Sequence, residues 1–207
     1  MYKLYPSLLL AFHACDQSVG EKVLSGKARL KPSRNDYDWL GHGIYFWENS
    51  PQRAAEWAEV QRRRGRIERP FLLGAVIALG RCFDLLEARS LSILRKHYHA
   101  VVRTYREAGL DAEIPRNKPL SGNEDLPLRE LDCAVIEYLH HQMEEQYKKN
   151  GKVRPFDSVR GAFWEGQPLY PGAGFKQKNH IQICVRNPNC IKGYFRPLKT
   201  VRGRYQV

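Results

Sequence analysis

The sequence predicts a mixed α+β fold in one domain spanning residues 1–207, and three observations carry that expectation. Continuous apolar runs with strand character stand near both ends of the chain. Two long helical patterns fill its middle. The two kinds of pattern are grouped and do not alternate as a βαβ series would.

The run Leu8 to Phe12 is too short for a convincing helix and is apolar throughout, so it reads as a buried strand ending at His13. Asp16 is placed to cap a helix through Val19, Val23 and Leu24, which Gly26 ends. Lys31 to Gly43 mixes Pro, Asn, Asp and Gly with bulky aromatics and reads as an ordered loop. Ile44-Tyr45-Phe46-Trp47 has strong strand propensity. Ser50 and Pro51 then supply an N-cap and a first helical residue for a helix from Pro51 to Val60. Ala54, Ala55 and Ala58 beside Trp57 give that helix a small-residue face suited to a sheet. Phe71 to Leu79 is the second fully apolar strand. Leu85 to Glu107 and Leu128 to Lys149 carry helical periodicity around a Pro- and Asn-rich loop, Asp111 to Pro127, which together read as a helical insertion over residues 85–150. Phe156 to Phe163, His180 to Arg186 and Ile191 to Arg196 are the closing strands.

Composition narrows the function classes. The chain has 207 residues and is 43% hydrophobic, enough to fill a core. Its 34 Lys+Arg against 22 Asp+Glu leave a net charge of +12, which favours a polyanionic partner, RNA before DNA, through counterion release. Arg62-Arg63-Arg64-Gly65-Arg66 is the densest basic cluster, and Lys176, Lys178, Arg186, Lys192, Arg196, Arg202 and Arg204 extend the basic surface. A solvated basic face is the plainer alternative. The five cysteines (Cys15, Cys82, Cys133, Cys184, Cys190) form no C-x-x-C pair, so neither a zinc ribbon nor a disulfide framework is expected. His140-His141 and His97-x-His99 lack the spacing that places two metal ligands on one helix face, and no metal is expected. No stretch reads as a membrane span or a secretory leader, so the expected location is the cytoplasm.

No G-x-G-x-x-G follows a strand and no Walker-type G-x-x-x-x-G-K-[ST] occurs, so neither common nucleotide loop is present. Instead, His13 closes one apolar strand, Tyr45 is centred in a second behind Gly41 and Gly43, and Trp57 sits one helix later. Two aromatics and a histidine on adjoining elements can clamp a flat heteroaromatic ring, and the glycines permit close approach. Leu10-Ala11-Phe12-His13-Ala14 and Gly41-His42-Gly43-Ile44-Tyr45-Phe46 together resemble the first two strands of the ADP-ribosyltransferase superfamily, in its diphtheria-toxin and poly(ADP-ribose)-polymerase branch. There a His-Gly pair and a Gly-x-Gly-Ile-Tyr-Phe stretch carry two members of a His-Tyr-Glu triad. His180-Ile181-Gln182-Ile183-Cys184-Val185 is similar to the third strand, with Gln182 at the usual Glu position. The first two motifs cover about the first 60 residues, and nothing from Leu85 to Lys149 adds to them.

The resemblance implies a split β-sandwich and a reaction in which NAD, as co-substrate, donates ADP-ribose to a macromolecule. It implies that His13 bonds the adenosine-side ribose, that the Ala14 main chain holds the nicotinamide carboxamide, and that Tyr45 and Trp57 wall the ring, with Gly43 beside them. Ala14 replaces the family's Gly, but main-chain contacts tolerate a methyl group. Positive charge develops on the ribose as the glycosidic bond breaks, and a carboxylate normally stabilises it. Gln182 lacks that charge. Glu165, in the Gly- and Pro-rich loop before the Gln182 strand, is the expected replacement, and Asp157 is a lesser one. His180, two residues before Gln182 on the same sheet face, is expected on the acceptor side, with Arg63 and Arg64 gripping a nucleic acid. A small basic chain of this kind suits a toxin or phage-defence effector, with an antitoxin protein as a further partner. The alternatives are a protein acceptor, NAD hydrolysis, and a nucleic-acid-binding module without activity.

Overall fold

The computed structural model describes residues 8–119 and 128–198. Arg202, Arg204 and the end of the 111–127 segment therefore lie outside the described residues. The strands are β1 (Leu9–Asp16), β2 (Ile44–Glu48), β3 (Pro70–Ile77), β4 (Cys82–Asp84), β5 (Asn117–Lys118), β6 (Leu128–Arg129), β7 (Ser158–Phe163), β8 (His180–Val185) and β9 (Ile191–Phe195). The helices are α1 (Gln17–Leu24), α2 (Pro51–Arg63), α3 (Ala88–Glu107) and α4 (Glu130–Asn150). Seven strands form one mixed sheet in the order β4-β7-β8-β2-β1-β3-β9, and β5 and β6 make a separate ladder, so the fold is α+β. All neighbours in the large sheet are antiparallel except β4 and β7.

Local chemistry accounts for the element ends. β1 runs past His13 to Asp16 because Ala14 and Cys15 still pair with Leu72 and Phe71 of β3, which places His13 inside the strand and not at its end. Asp16 then caps α1: its carboxylate accepts from the Ser18 N–H at 3.0 Å and also from the N–H groups of Glu68 and Arg69. Those main-chain donors, Arg69 foremost, hold its carboxyl down at about 2. Ser50 occupies the N-cap of α2 without a capping side-chain bond, and Pro51 starts the helix. α2 continues to Arg63, so Arg62 and Arg63 sit in its last turn, where the helix dipole favours cations. Gly151, at φ 65°, ends α4 in the left-handed conformation.

Period-2 alternation in the strands divides the core between the two faces of the sheet. Ala11, Cys15, Ile44, Phe46, Leu73, Ala75, Ile77, Ile183 and Val185 fill one face, together with Val23 of α1. On the other face α2 covers Phe12, Ala14, Trp47 and Leu72 through Ala54 and Ala58. Beside it, α4 sets Ile136, Leu139 and Met143 against Phe83, Val159 and Cys184. A charged clamp ties the sheet laterally. Arg160 of β7 donates to both oxygens of Glu48 in β2, at 2.6 and 2.9 Å, and to Asp84 of β4 at 3.0 Å.

His140 is buried in α4, with Nδ1 donating to the Ile136 carbonyl at 2.8 Å and Nε2 without a partner among the described residues. Burial first, and then the Arg186 charge, push its pKa down to about 4. Between pH 6.5 and 4 the unfolded imidazole takes a proton that the folded one refuses, so stability falls as the pH drops through that window. The loss attributable to His140 is about 3 kcal/mol. Urea unfolding at pH 7 and pH 4.5 should show most of this loss, and His140→Leu should reduce the pH dependence, leaving the part that His13 and His180 contribute. A variant with the full pH dependence would refute the assignment.

Candidate functional site

The site is organised by an interruption between β1 and β2. Their ladder pairs Ala11 with Glu48 and Phe12 with Trp47 and then stops, whereas β1 stays paired with β3 along its whole length. The Asn49 N–H donates to the Leu10 carbonyl at 3.0 Å, so the main-chain groups of Leu10, Phe12 and Ala14 face β2 by strand alternation. Continuing that register would bring the Ala14 N–H to the Tyr45 carbonyl. The His13 imidazole takes that carbonyl instead, with Nδ1 at 2.8 Å. The Ala14 main chain thus faces a split in the sheet, with the His13 ring bridging the split beside Phe46 at 5.6 Å. Burial lowers the His13 pKa and outweighs the raising effect of the Tyr45 carbonyl, so the ring is neutral near pH 7. A carbonyl only accepts, so Nδ1 carries the proton and Nε2 offers a lone pair.

Tyr45 and Gln182 are committed to the loop before β2. The Tyr45 hydroxyl accepts from the Leu40 N–H at 2.9 Å and donates to the Gly41 carbonyl at 2.8 Å, and its ring packs with the Trp39–Leu40–Cys184 cluster. Burial raises its phenol well above the ordinary value. Gln182 Oε1 accepts from the Trp39 indole N–H at 2.6 Å. The glycines serve the same loop. Gly41 sits at φ 79°, and a Cβ on Gly43 would lie 2.5 Å from Cys184 Sγ and 2.7 Å from the Val185 carbonyl oxygen. The close approach that glycine permits at Gly43 is therefore made by β8.

A second group gathers under the N-terminal half of α2. Trp47 lies 5.6 Å from Trp57 and 6.3 Å from His180, whose other side meets Phe163 at 5.4 Å. His180 donates Nδ1–H to the Lys178 carbonyl at 2.7 Å. Arg53 reaches Glu165 at 3.0 Å and also pairs with Glu56, and Lys178 stands 3.8 Å from Glu165. Three buried nitrogens here, Trp47 Nε1, Arg53 Nε and His180 Nε2, have no hydrogen-bond partner among the described residues. Each such group costs roughly 1–3 kcal/mol if left unpaired. Burial is the main cause that lowers the His180 pKa, with the Arg53 charge adding to it and the Lys178 carbonyl and Glu165 opposing it. His180 is thus neutral near pH 7, with a lone pair on its buried Nε2.

Of the residues singled out in the sequence, the structure brings His180, Glu165 and Trp57 together, and sets His13, Ala14 and the Tyr45 carbonyl around the split. Arg63 and Arg64 stand at the other end of α2, about 15 Å from Arg53 along the helix. Asp157 is bound to Arg154, Asn187 and the Arg81 N–H. Trp47 and Arg53 belong to this cluster, and the motifs did not reveal them. Trp47 is two residues from Tyr45 and hence on its sheet face, and that was their one available signal. An open groove of about 570 Å³ lies elsewhere, with His42, Glu137, Arg154, Asp157 and Arg186 in its walls. Glu137 pairs with His42 and Arg186 there, Arg154 pairs with Asp157, and none of the three nitrogens lines it. Among the described residues, no group of three or more His, Cys, Asp or Glu side chains is placed to hold a metal, and no helix is long and apolar enough to cross a membrane. All five cysteines are free.

Arg53 on one side, and Glu165 and Glu56 on the other, act on His180 in opposite directions, and this is measurable. In an NMR titration, Arg53→Gln should move the His180 midpoint up and Glu165→Gln should move it down. Midpoints unchanged in both variants would show that the pair does not act on the ring.

No family model and no solved structure matches the chain. The chain is similar to uncharacterized protein MJ0359 of Methanocaldococcus jannaschii, with 28% identity over 202 residues that cover 87% of this chain and 83% of that one.

Proposed function

We propose that the chain transfers ADP-ribose from NAD to a macromolecular acceptor, with the nicotinamide riboside end of NAD held between the β1–β2 split and α2. The observation that carries this reading is the orphan set beside the split: two donors, Trp47 Nε1–H and Arg53 Nε–H, and one acceptor, His180 Nε2. A ligand must offer both acceptor and donor atoms to satisfy them, as ribose hydroxyls and a carboxamide do. The Ala14 main chain, released from the ladder by His13, supplies a further donor and acceptor for the carboxamide. The resemblance of the His13 and Tyr45 motifs to the ADP-ribosyltransferase superfamily supports the same reading and a split β-sandwich form of the α+β fold.

In this mechanism the bond between the ribose anomeric carbon and the pyridinium nitrogen breaks, and its electron pair neutralises the departing nicotinamide. Positive charge grows on the ribose, and the Glu165 carboxylate, steered by Arg53, stabilises it. An acceptor oxygen or nitrogen attacks the anomeric carbon, and its proton passes to His180 Nε2. Trp57 offers a wall for the nicotinamide ring. Gln182, engaged by Trp39, and Tyr45, engaged by the loop, act as positioning residues in this scheme. The net charge of +12 favours nucleic acid as the acceptor.

Incubation with radiolabelled NAD and RNA, DNA or protein should move label into a macromolecule. Glu165→Gln should lower the rate about 10²–10³-fold, equivalent to ~3–4 kcal/mol, while Gln182→Ala should cost far less. The reading fails if NAD neither binds nor is consumed with any acceptor, or if Glu165→Gln retains full activity.

A further inference from the structure

The segment from Glu165 to Lys178 is an ordered hairpin. The Lys178 N–H donates to the Glu165 carbonyl, Gln177 to Gln167 and Leu169 to Phe175, at 2.9–3.0 Å, and Pro168 bridges Lys176 in antiparallel fashion. The Ala173 N–H closes the tip on the Tyr170 carbonyl at 2.9 Å. The Arg53–Glu165 ion pair anchors its base to α2.

This hairpin and the residue before it turn large apolar side chains outward: Trp164 is 52% exposed, Leu169 59%, Tyr170 55% and Phe175 63%. None of the four belongs to the hydrophobic cores. Four such residues within twelve, on a segment whose backbone is bonded in place, form a surface that calls for a partner. Glu165 at its base is met by Arg53 and Lys178. Lys176 and Lys178 lie on the return arm. From the base of the hairpin, Arg53, Trp57, Val60 and Arg64 follow one face of α2 at helical spacing, and Trp57 and Val60 are also exposed. Arg62 pairs with Glu59, whereas Arg63, Arg64 and Arg66 have no carboxylate partner among the described residues.

We infer that the Trp164–Phe175 hairpin and the exposed face of α2 form a binding track for single-stranded nucleic acid, with unpaired bases stacked on Trp164, Tyr170 and Phe175 and the phosphates running toward Arg63 and Arg64. Exposed aromatics beside cations are what an unpaired strand recognises, because every base has a π-face and every nucleotide a charge. A duplex hides its bases and meets only the cations. The inference deepens the proposed function by specifying how the acceptor is held. Its test omits NAD, so its failure is separable from failure of the transferase reading.

Fluorescein-labelled 12-nucleotide RNA, the same sequence as DNA, and the DNA duplex are titrated by anisotropy from 50 to 200 mM salt. Either single strand should bind at least 10-fold tighter than the duplex. The Trp164→Ala/Tyr170→Ala/Phe175→Ala variant should lose at least 10-fold in affinity with its salt dependence and circular dichroism unchanged. Arg63→Ala/Arg64→Ala should instead reduce the slope of log K against log salt by about 1–1.5. Equal affinity for duplex and single strand, or full affinity in the aromatic variant, overturns the inference. So does the absence of binding to any strand.

Discussion

The hydrogen bond from the His13 imidazole to the Tyr45 carbonyl is the contact around which this structure is arranged. In an uninterrupted antiparallel ladder that carbonyl would belong to the Ala14 N–H, and β1 and β2 would be continuous. A side chain in place of a main-chain donor holds the strands apart while keeping the carbonyl satisfied, so the sheet opens at modest cost. The opening leaves main-chain groups of a central strand facing a gap, in a position that sheet pairing normally consumes. β1 tolerates this because β3 holds its other edge from Leu9 to Asp16.

The rest of the fold keeps that opening in shape. The Glu48–Arg160–Asp84 clamp spans β2, β7 and β4 on one face. On the other, the Tyr45 hydroxyl and the Trp39–Gln182 bond fasten the loop before β2 over the β8 side. α2 lies over the β1 side on small residues, Ala54 and Ala58, which let the helix come close enough for Arg53 and Trp57 to reach the Trp47 region. Electrostatics and packing thus act on the same object from both faces. Among the described residues few buried side-chain polar atoms lack a partner, which gives the nitrogens of Trp47, Arg53 and His180 their weight.

The basic excess is unevenly distributed in its obligations. Arg160, Arg186 and Arg53 are half-buried cations whose carboxylates are identified, and they contribute little to a long-range field. Arg63, Arg64 and Arg66 are surface charges at the end of α2 with no carboxylate partner among the described residues, so they can act on a partner. Net charge counts both kinds alike, and only burial and pairing separate them.

The sequence by itself determined the α+β class, most strands and helices and the Asp16 cap, because apolar periodicity and capping chemistry are local. It placed the end of β1 too early, since the pairing that carries the strand to Asp16 comes from β3, more than fifty residues away. It singled out Tyr45 and Gln182 for their positions, but their engagement with Leu40, Gly41 and Trp39 is set by loop packing that no spacing expresses. Trp47 and Arg53 escaped notice for the same reason: a tryptophan in a strand and an arginine in a helix are ordinary until the fold buries their nitrogens without partners. Which polar groups are spent and which are spare is a sum over all neighbours, and only the tertiary structure decides it.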